Sequence, residues 1–286
     1  MITLQNDSIL IKVSPLGAEL TSLYHSSYQQ EYMWQAEAIW PKHSPVLFPI
    51  VGQLKDNHYR YNDHQYTLSR HGFAREKAFT LIEQSDTQLT FRLSDDEKTL
   101  EVFPFHFHFD VIYSIHNNCL QVTYVVTNTG TGTLLFSVGA HPAFQLPLDP
   151  NIQYSDYSLS FEKEEVSGRW LLENGLIGNT AIPFFQGKEL PLTKALFDND
   201  ALVFKKIVSD YVDLKSAKHS RGLRFHLNQC PYLGIWAARG ADFICIEPWH
   251  GIADSVNSTG ELHEKEGILT LAPGQEHRSG WAVEVH

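Results

Sequence analysis

The sequence predicts an all-β protein, a large β-sandwich with little helix, on three observations. The stretches Ile9–Val13, Gln88–Leu93, Phe107–Tyr113 and Leu120–Val126 alternate apolar and polar side chains and are rich in β-branched and aromatic residues, the pattern of half-buried strands. Turn-forming clusters recur at short intervals, at Asn117-Asn118, Thr129-Gly130-Thr131-Gly132, Arg239-Gly240-Ala241-Asp242 and Pro273-Gly274, a spacing that favours hairpins over strand-helix-strand units. No stretch sustains a helical period of about 3.6 residues, and Glu261 to Glu266 makes at most a short helical turn or a polar loop.

The length of 286 residues would accommodate two domains at about 150 residues each, but large sandwiches often form one. No Pro-, Ser- or charge-rich linker divides the chain, and no repeat or low-complexity run occurs; Leu146-Pro147-Leu148-Asp149-Pro150 reads as a loop. One domain spanning residues 1–286 is therefore expected. Such a sheet must bend, close or stack to cover its edges, which leaves a concave face for a ligand.

Composition narrows the function. With 22 basic and 33 acidic residues the formal charge is −11, which argues against nucleic acid as a partner because phosphate backbones require clustered Lys and Arg. No window approaches the ~18 apolar residues of a membrane helix, and Met1 to Asp7 lacks a basic start and apolar block, so no membrane partner and a cytoplasmic location are expected. Cys119, Cys230 and Cys245 form no Cys-x-x-Cys pair and read as small buried hydrophobes. The expected partner is a neutral small molecule, with the protein a monomer or a homodimer.

Three motifs carry candidate chemistry. In Phe136-Ser137-Val138-Gly139-Ala140-His141-Pro142-Ala143-Phe144 the Gly139-Ala140 pair removes bulk before His141, and Pro142 is expected to stop the strand ladder after it, so the imidazole would be displayed at a strand end. Arg70-His71-Gly72-Phe73-Ala74-Arg75 places a histidine between arginines, with Gly72 expected to let another group approach His71. In Ile244-Cys245-Ile246-Glu247-Pro248-Trp249 a carboxylate ends an apolar strand, where burial would raise its pKa toward that of a general base near neutral pH. Trp249 is expected to be an exposed indole offering a platform for a sugar ring.

Other chemistries have less support. His106 and His108 share one strand face and could join His141 around a metal, but Phe103, Phe105, Phe107 and Phe109 on the opposite face explain the alternation as aromatic packing. No Gly-x-Ser-x-Gly elbow, phosphate loop or dinucleotide fingerprint occurs. Acid–base chemistry by His71, His141 and Glu247 remains.

These blocks, together with Tyr124-Val125-Val126-Thr127-Asn128 and the closing Leu271-Ala272-Pro273-Gly274-Gln275-Glu276, resemble the aldose 1-epimerase (galactose mutarotase-like) family over nearly the whole chain. The resemblance implies a β-supersandwich and a cofactor-independent mutarotase acting on a free hexose. It assigns Glu247 as the base on the anomeric hydroxyl, His141 as the acid toward the ring oxygen, and His71 as a hydrogen-bonding partner of the sugar. Gln53 stands where galactose-specific members carry an arginine, so Arg75 or Lys55 would supply the positive charge. The sugar-binding aspartate of the family falls at Asp198 or Asp200, with Asp200 preferred because an apolar strand starts right after it. Relatives acting on hexose 6-phosphates share the His-Gly-Phe-Ala-Arg form, although no further arginine cluster is visible to receive a phosphate. A non-catalytic sugar-binding protein and a metal-dependent isomerase using His106 and His108 complete the alternatives.

Overall fold

The computed structural model describes the backbone of residues 1–286 and every side chain except that of Ser167. Strands dominate, organised around one sheet of fifteen. From one edge the sheet runs through Val46–Leu47, Val138–Ala140, Phe243–His250, Tyr232–Trp236, Leu202–Lys205 and Tyr157–Glu173, then on through Tyr211–Ser216, His219–His226, Glu276–Val285, Cys119–Asn128, Phe107–His116 and Gln88–Ser94 to Thr80–Gln84. A four-stranded antiparallel sheet of Ile2–Gln5, Ile9–Ser14, Glu19–His25 and Gln30–Glu31 accompanies it.

The alternation read from the sequence corresponds to burial. Phe107, Phe109, Val111 and Tyr113 point into the core, while His108 and Ile112 lie on the less buried face of the same strand. Phe48 joins these rings, stacked on Phe109 with centroids 4.5 Å apart and edge-on to Phe103 and Phe107. The run of phenylalanines is therefore packing, and His106 is an exposed side chain paired with Asp95 at 2.8 Å.

Several local expectations need correction. Asn117-Asn118 and Arg239–Asp242 do connect paired antiparallel strands, but Thr129–Gly132 and Pro273-Gly274 lead to strands that pair elsewhere. The longest hairpin, Tyr157–Glu173 with Leu176–Pro191, turns at Asn174-Gly175, both residues having positive φ. This Asn-Gly pair is a strong short-range hairpin signal. One short α-helix, Glu97–Val102, is capped by Asp96, whose carboxylate accepts from Thr99 N while Thr99 Oγ1 accepts from Asp96 N. Cys119 is only half-buried, whereas Cys230 and Cys245 are buried.

The strand Phe243–His250 matters most for function. On one side it pairs with Tyr232–Trp236. On the other it pairs with two short strands, Val138–Ala140 and Ala143–Gln145, so the ladder resumes beyond Pro142 instead of ending there. Gly139 lies opposite Trp249 and Ala143 opposite Cys245, the same register on both sides of the interruption. Continued across the gap, that register sets His141 opposite Glu247. Pro248 is tolerated in this interior strand because the missing ladder bonds fall at the same break.

Candidate functional site

At this break the sheet opens into a cavity of about 340 Å³. His141, Glu247, His71, Arg75, Asp200 and Trp249 all line it. His141 Nε2 stands 3.4 Å from Glu247 Oε2, and the Glu247 side chain is only 2% exposed. Neither Glu247 Oε2 nor His141 Nδ1 has a hydrogen-bond partner. A buried carboxyl group without such bonds is costly, and burial drives its pKa well above the ordinary carboxyl value. The neighbouring Asp200 carboxylate pushes the same way, while the Trp249 indole N–H, near enough to favour the ionised form without hydrogen-bond geometry, and Arg70 oppose it. Burial lowers His141 to about 3, and the Arg75, Arg70 and Lys42 charges push the same way. Both shifts act in one direction, favouring a neutral carboxyl group beside a neutral imidazole.

His71 approaches the pair from a different segment. Its ring centroid lies 5.8 Å from that of His141, nearly perpendicular to it. Its backbone N–H donates to Gly52 O at 2.8 Å, and Gly52 N–H donates to His71 Nδ1 at 3.1 Å. Because a backbone amide can only donate, Nδ1 is the unprotonated nitrogen, and burial with the nearby positive charges keeps the ring neutral. The hydrogen therefore resides on Nε2, and His71 offers a donor. Gly72 does allow a close approach, but by the Phe48–Pro49 backbone and not by a group bound to His71; a Cβ there would collide with Phe48 O.

The predicted binding residues divide. Asp200 lies on the cavity wall with positive φ, its Oδ1 accepting from Ala201 N at 2.8 Å. Asp198 instead pairs with Arg239. Arg75 reaches the cavity, donating through Nη2 to Arg70 O at 2.8 Å, while its buried Nε has no hydrogen bond and lies 3.7 Å from Glu76 Oε1. Gln53 is not among the residues lining the cavity, but it adjoins two that are: an added Cβ on Gly175 would lie 2.5 Å from both Gln53 Oε1 and Arg70 Nη2. Lys55 points elsewhere, with Nζ 3.5 Å from Ser258 O.

Trp249 is not the exposed platform expected. Only 7% exposed, its ring fills the space left by two glycines: a Cβ on Gly139 would lie 2.9 Å from Trp249 Cδ1, and one on Gly234 would collide with the ring. The indoles beside the His141–Glu247 pair are Trp40, stacked on His141 at 5.1 Å, and Trp236, edge-on at 5.5 Å. Sequence reasoning missed both, since neither adjoins a recognisable motif. It also missed the Gly175 turn, although Asn174-Gly175 was a readable signal. Arg70 was noticed only as a neighbour of His71, yet it lines the cavity with Arg75, and Lys42 joins them from a segment that no motif marks. His106 and His108 contribute to no cluster of three metal-ligating groups among the described residues.

Comparison with known proteins places the whole chain in one context. A family model described as aldose 1-epimerase matches residues 1–282. The chromosomal protein LacX of Lactococcus lactis subsp. lactis is 31% identical, with 99% of each chain covered. A galactose mutarotase related enzyme from Lactobacillus acidophilus has 34% identity and a TM-score of 0.94, covering 100% of this chain and 97% of its own. A galactose mutarotase-like protein from Lactobacillus casei has 31% identity and a TM-score of 0.92, with both chains fully covered.

Proposed function

Because the chain belongs to the aldose 1-epimerase family, we propose that it interconverts the α and β anomers of a free hexose in this cavity. The observation that carries the reading is the unsatisfied buried pair, His141 and Glu247, facing each other at 3.4 Å on the cavity wall. Sugar hydroxyls that donate to the Glu247 carboxylate favour its ionised form, moving the shared proton to His141. The carboxylate then takes the anomeric hydroxyl proton as the imidazolium delivers its own to the ring oxygen. The C1–O5 bond breaks and an open-chain aldehyde forms. Rotation about C1–C2 presents the other carbonyl face, and reclosure reverses both proton transfers. His71 Nε2–H and the Asp200 carboxylate hold hydroxyls, Arg75 supplies positive charge, and the Trp40 and Trp236 rings offer the apolar surface first sought at Trp249. A small sugar is the only partner this scheme requires.

Polarimetry or NMR exchange spectroscopy on freshly dissolved α-glucose and α-galactose tests the activity. Acceleration over buffer is expected; none on any aldose or aldose phosphate removes the enzyme reading and leaves a sugar-binding protein, which titration would detect as affinity without exchange. A second reading, a hexose-6-phosphate mutarotase, is favoured by the three cations Arg70, Arg75 and Lys42 on the wall. It predicts a strong preference for the phosphorylated sugar that Arg75→Ala abolishes.

A further inference from the structure

The strand that presents Glu247 also presents Cys245. Two positions apart, they share a face of the strand Phe243–His250, and the interrupted ladder brings His141 against both. One ligand atom from each of His141, Cys245 and Glu247 lies within 4.8 Å of the other two. For atoms so spaced, some point lies no more than about 2.8 Å from all three, against zinc–ligand distances of about 2.0–2.3 Å. Shifts of roughly half an ångström by the side chains would close the difference. Cys245 and Glu247 come from one strand and His141 from the gap between the two short strands that pair with it; His141 turns Nε2 toward Glu247 Oε2 at 3.4 Å, and that carboxyl oxygen has no hydrogen bond to give up.

We propose that His141, Cys245 and Glu247 form a binding site for a thiophilic divalent cation such as Zn²⁺, which shuts off the sugar site when it binds. The donor set of one thiolate, one imidazole and one carboxylate suits borderline-soft ions and discriminates against Mg²⁺ and Ca²⁺, which prefer oxygen ligands. The fourth position of a tetrahedral ion would face the cavity and take water. On binding, the thiol gives up its proton to solvent, because the thiolate is the ligand. His141 and Glu247 line the cavity and Cys245 lies just behind them, so the ion arrives by the route the sugar takes. The inhibitory consequence rests on the mutarotase reading; binding does not.

Titration of reduced full-length protein with Co²⁺, followed by Zn²⁺ displacement, tests binding without reference to activity. One equivalent of Co²⁺ should produce a sulfur-to-metal charge-transfer band in the near ultraviolet and tetrahedral bands in the visible, both removed by one equivalent of Zn²⁺. Cys245→Ser should lose the sulfur band and weaken Zn²⁺ at least tenfold by calorimetry, and His141→Asn should weaken it comparably, guarding against a folding defect in one variant. Cys119→Ser and Cys230→Ser should retain the band. Absence of a sulfur band at saturating Co²⁺, or unaltered Zn²⁺ affinity in Cys245→Ser, overturns the site and assigns the ion to other histidines. In exchange assays Zn²⁺ should inhibit and a chelator should restore the rate. A protein that shows the Cys245-dependent band but no exchange on any sugar retains the ion site and loses the mutarotase reading.

Discussion

Two buried acid–base pairs, one closed and one open, are treated in opposite ways. Asp254 and Lys265 are both almost fully buried and fully engaged: Lys265 Nζ donates to Asp254 Oδ1 at 2.8 Å and to Ile252 O at 2.6 Å, and Lys55 N–H donates to Asp254 Oδ2 at 3.0 Å. The Asp254 backbone also bonds Gln53 and Ile177, so the pair ties together three segments around the cavity. Glu247 is comparably enclosed and His141 somewhat less so, yet they leave a carboxyl oxygen and a ring nitrogen without hydrogen bonds. Burial alone therefore does not mark function. The mark is burial combined with unused hydrogen-bonding capacity on a cavity wall, because only unused lone pairs and protons can be offered to a substrate.

The strongest test of the contrast removes the charge from the open pair. Glu247→Gln should lower the anomer-exchange rate by about 10²–10⁴-fold, the usual worth of a positioned acid or base, with no loss of melting temperature. Unchanged exchange would strike Glu247 from the mechanism. The closed pair should respond in the opposite sense. Lys265→Met leaves Asp254 buried and unpaired, and we expect a loss of about 3–5 kcal/mol in urea unfolding, most of it recovered in Lys265→Met/Asp254→Leu. A loss under about 1 kcal/mol would mean that this pair does not tie the cavity wall together.

The pH dependence of stability sharpens the same comparison. His141 is held neutral in the fold down to about 3, while an unfolded histidine takes up its proton near 6.5. Its contribution is complete above the unfolded value and is lost as the pH falls from there toward about 3. Glu247 runs the other way: its raised pKa favours the fold in acid, and this stabilisation is lost as the pH rises from the ordinary carboxyl value through the folded one. Urea midpoints measured between pH 4 and 7 should fall more steeply toward acid in the wild type than in His141→Asn. Parallel slopes would contradict the assignment of a buried neutral imidazole. The smallest effect separates the two aspartates. Asp198→Ala breaks an exposed pair with Arg239 and should change stability by less than about 1 kcal/mol and exchange not at all, whereas Asp200→Asn should raise KM for the sugar. Equal kinetic effects would cancel the distinction drawn from the cavity wall.

Much of the architecture was legible in the chain. Alternation at Phe107–Tyr113 and Leu120–Val126 indicated strands because a period of two is a local property of the backbone, and the motifs around His71, His141 and Glu247 marked segments that do meet at one cavity. The errors share one cause. Trp249 was read as exposed because a strand-end indole beside a carboxylate looks free, but Gly139 and Gly234 come from two neighbouring strands and together make room for its ring. Pro142 was read as a terminator because proline lacks a ladder donor, but the next residues rejoin the same partner strand in unchanged register. Trp40, Trp236 and Lys42 were not singled out because no local pattern distinguishes a side chain that turns toward a distant cavity.

By itself the sequence determined the class of fold, the kinds of reactive group and, by resemblance, the family, since periodicity, residue chemistry and ordered motifs are written along one dimension. Tertiary structure alone decided that His141 faces Glu247 at 3.4 Å, that His71 presents Nε2–H, and that Arg70, Arg75 and Lys42 gather on the cavity wall. The physical reason is register: hydrogen bonding between strands distant in sequence fixes which side chains are neighbours, and a shift of one residue would turn each to the opposite face.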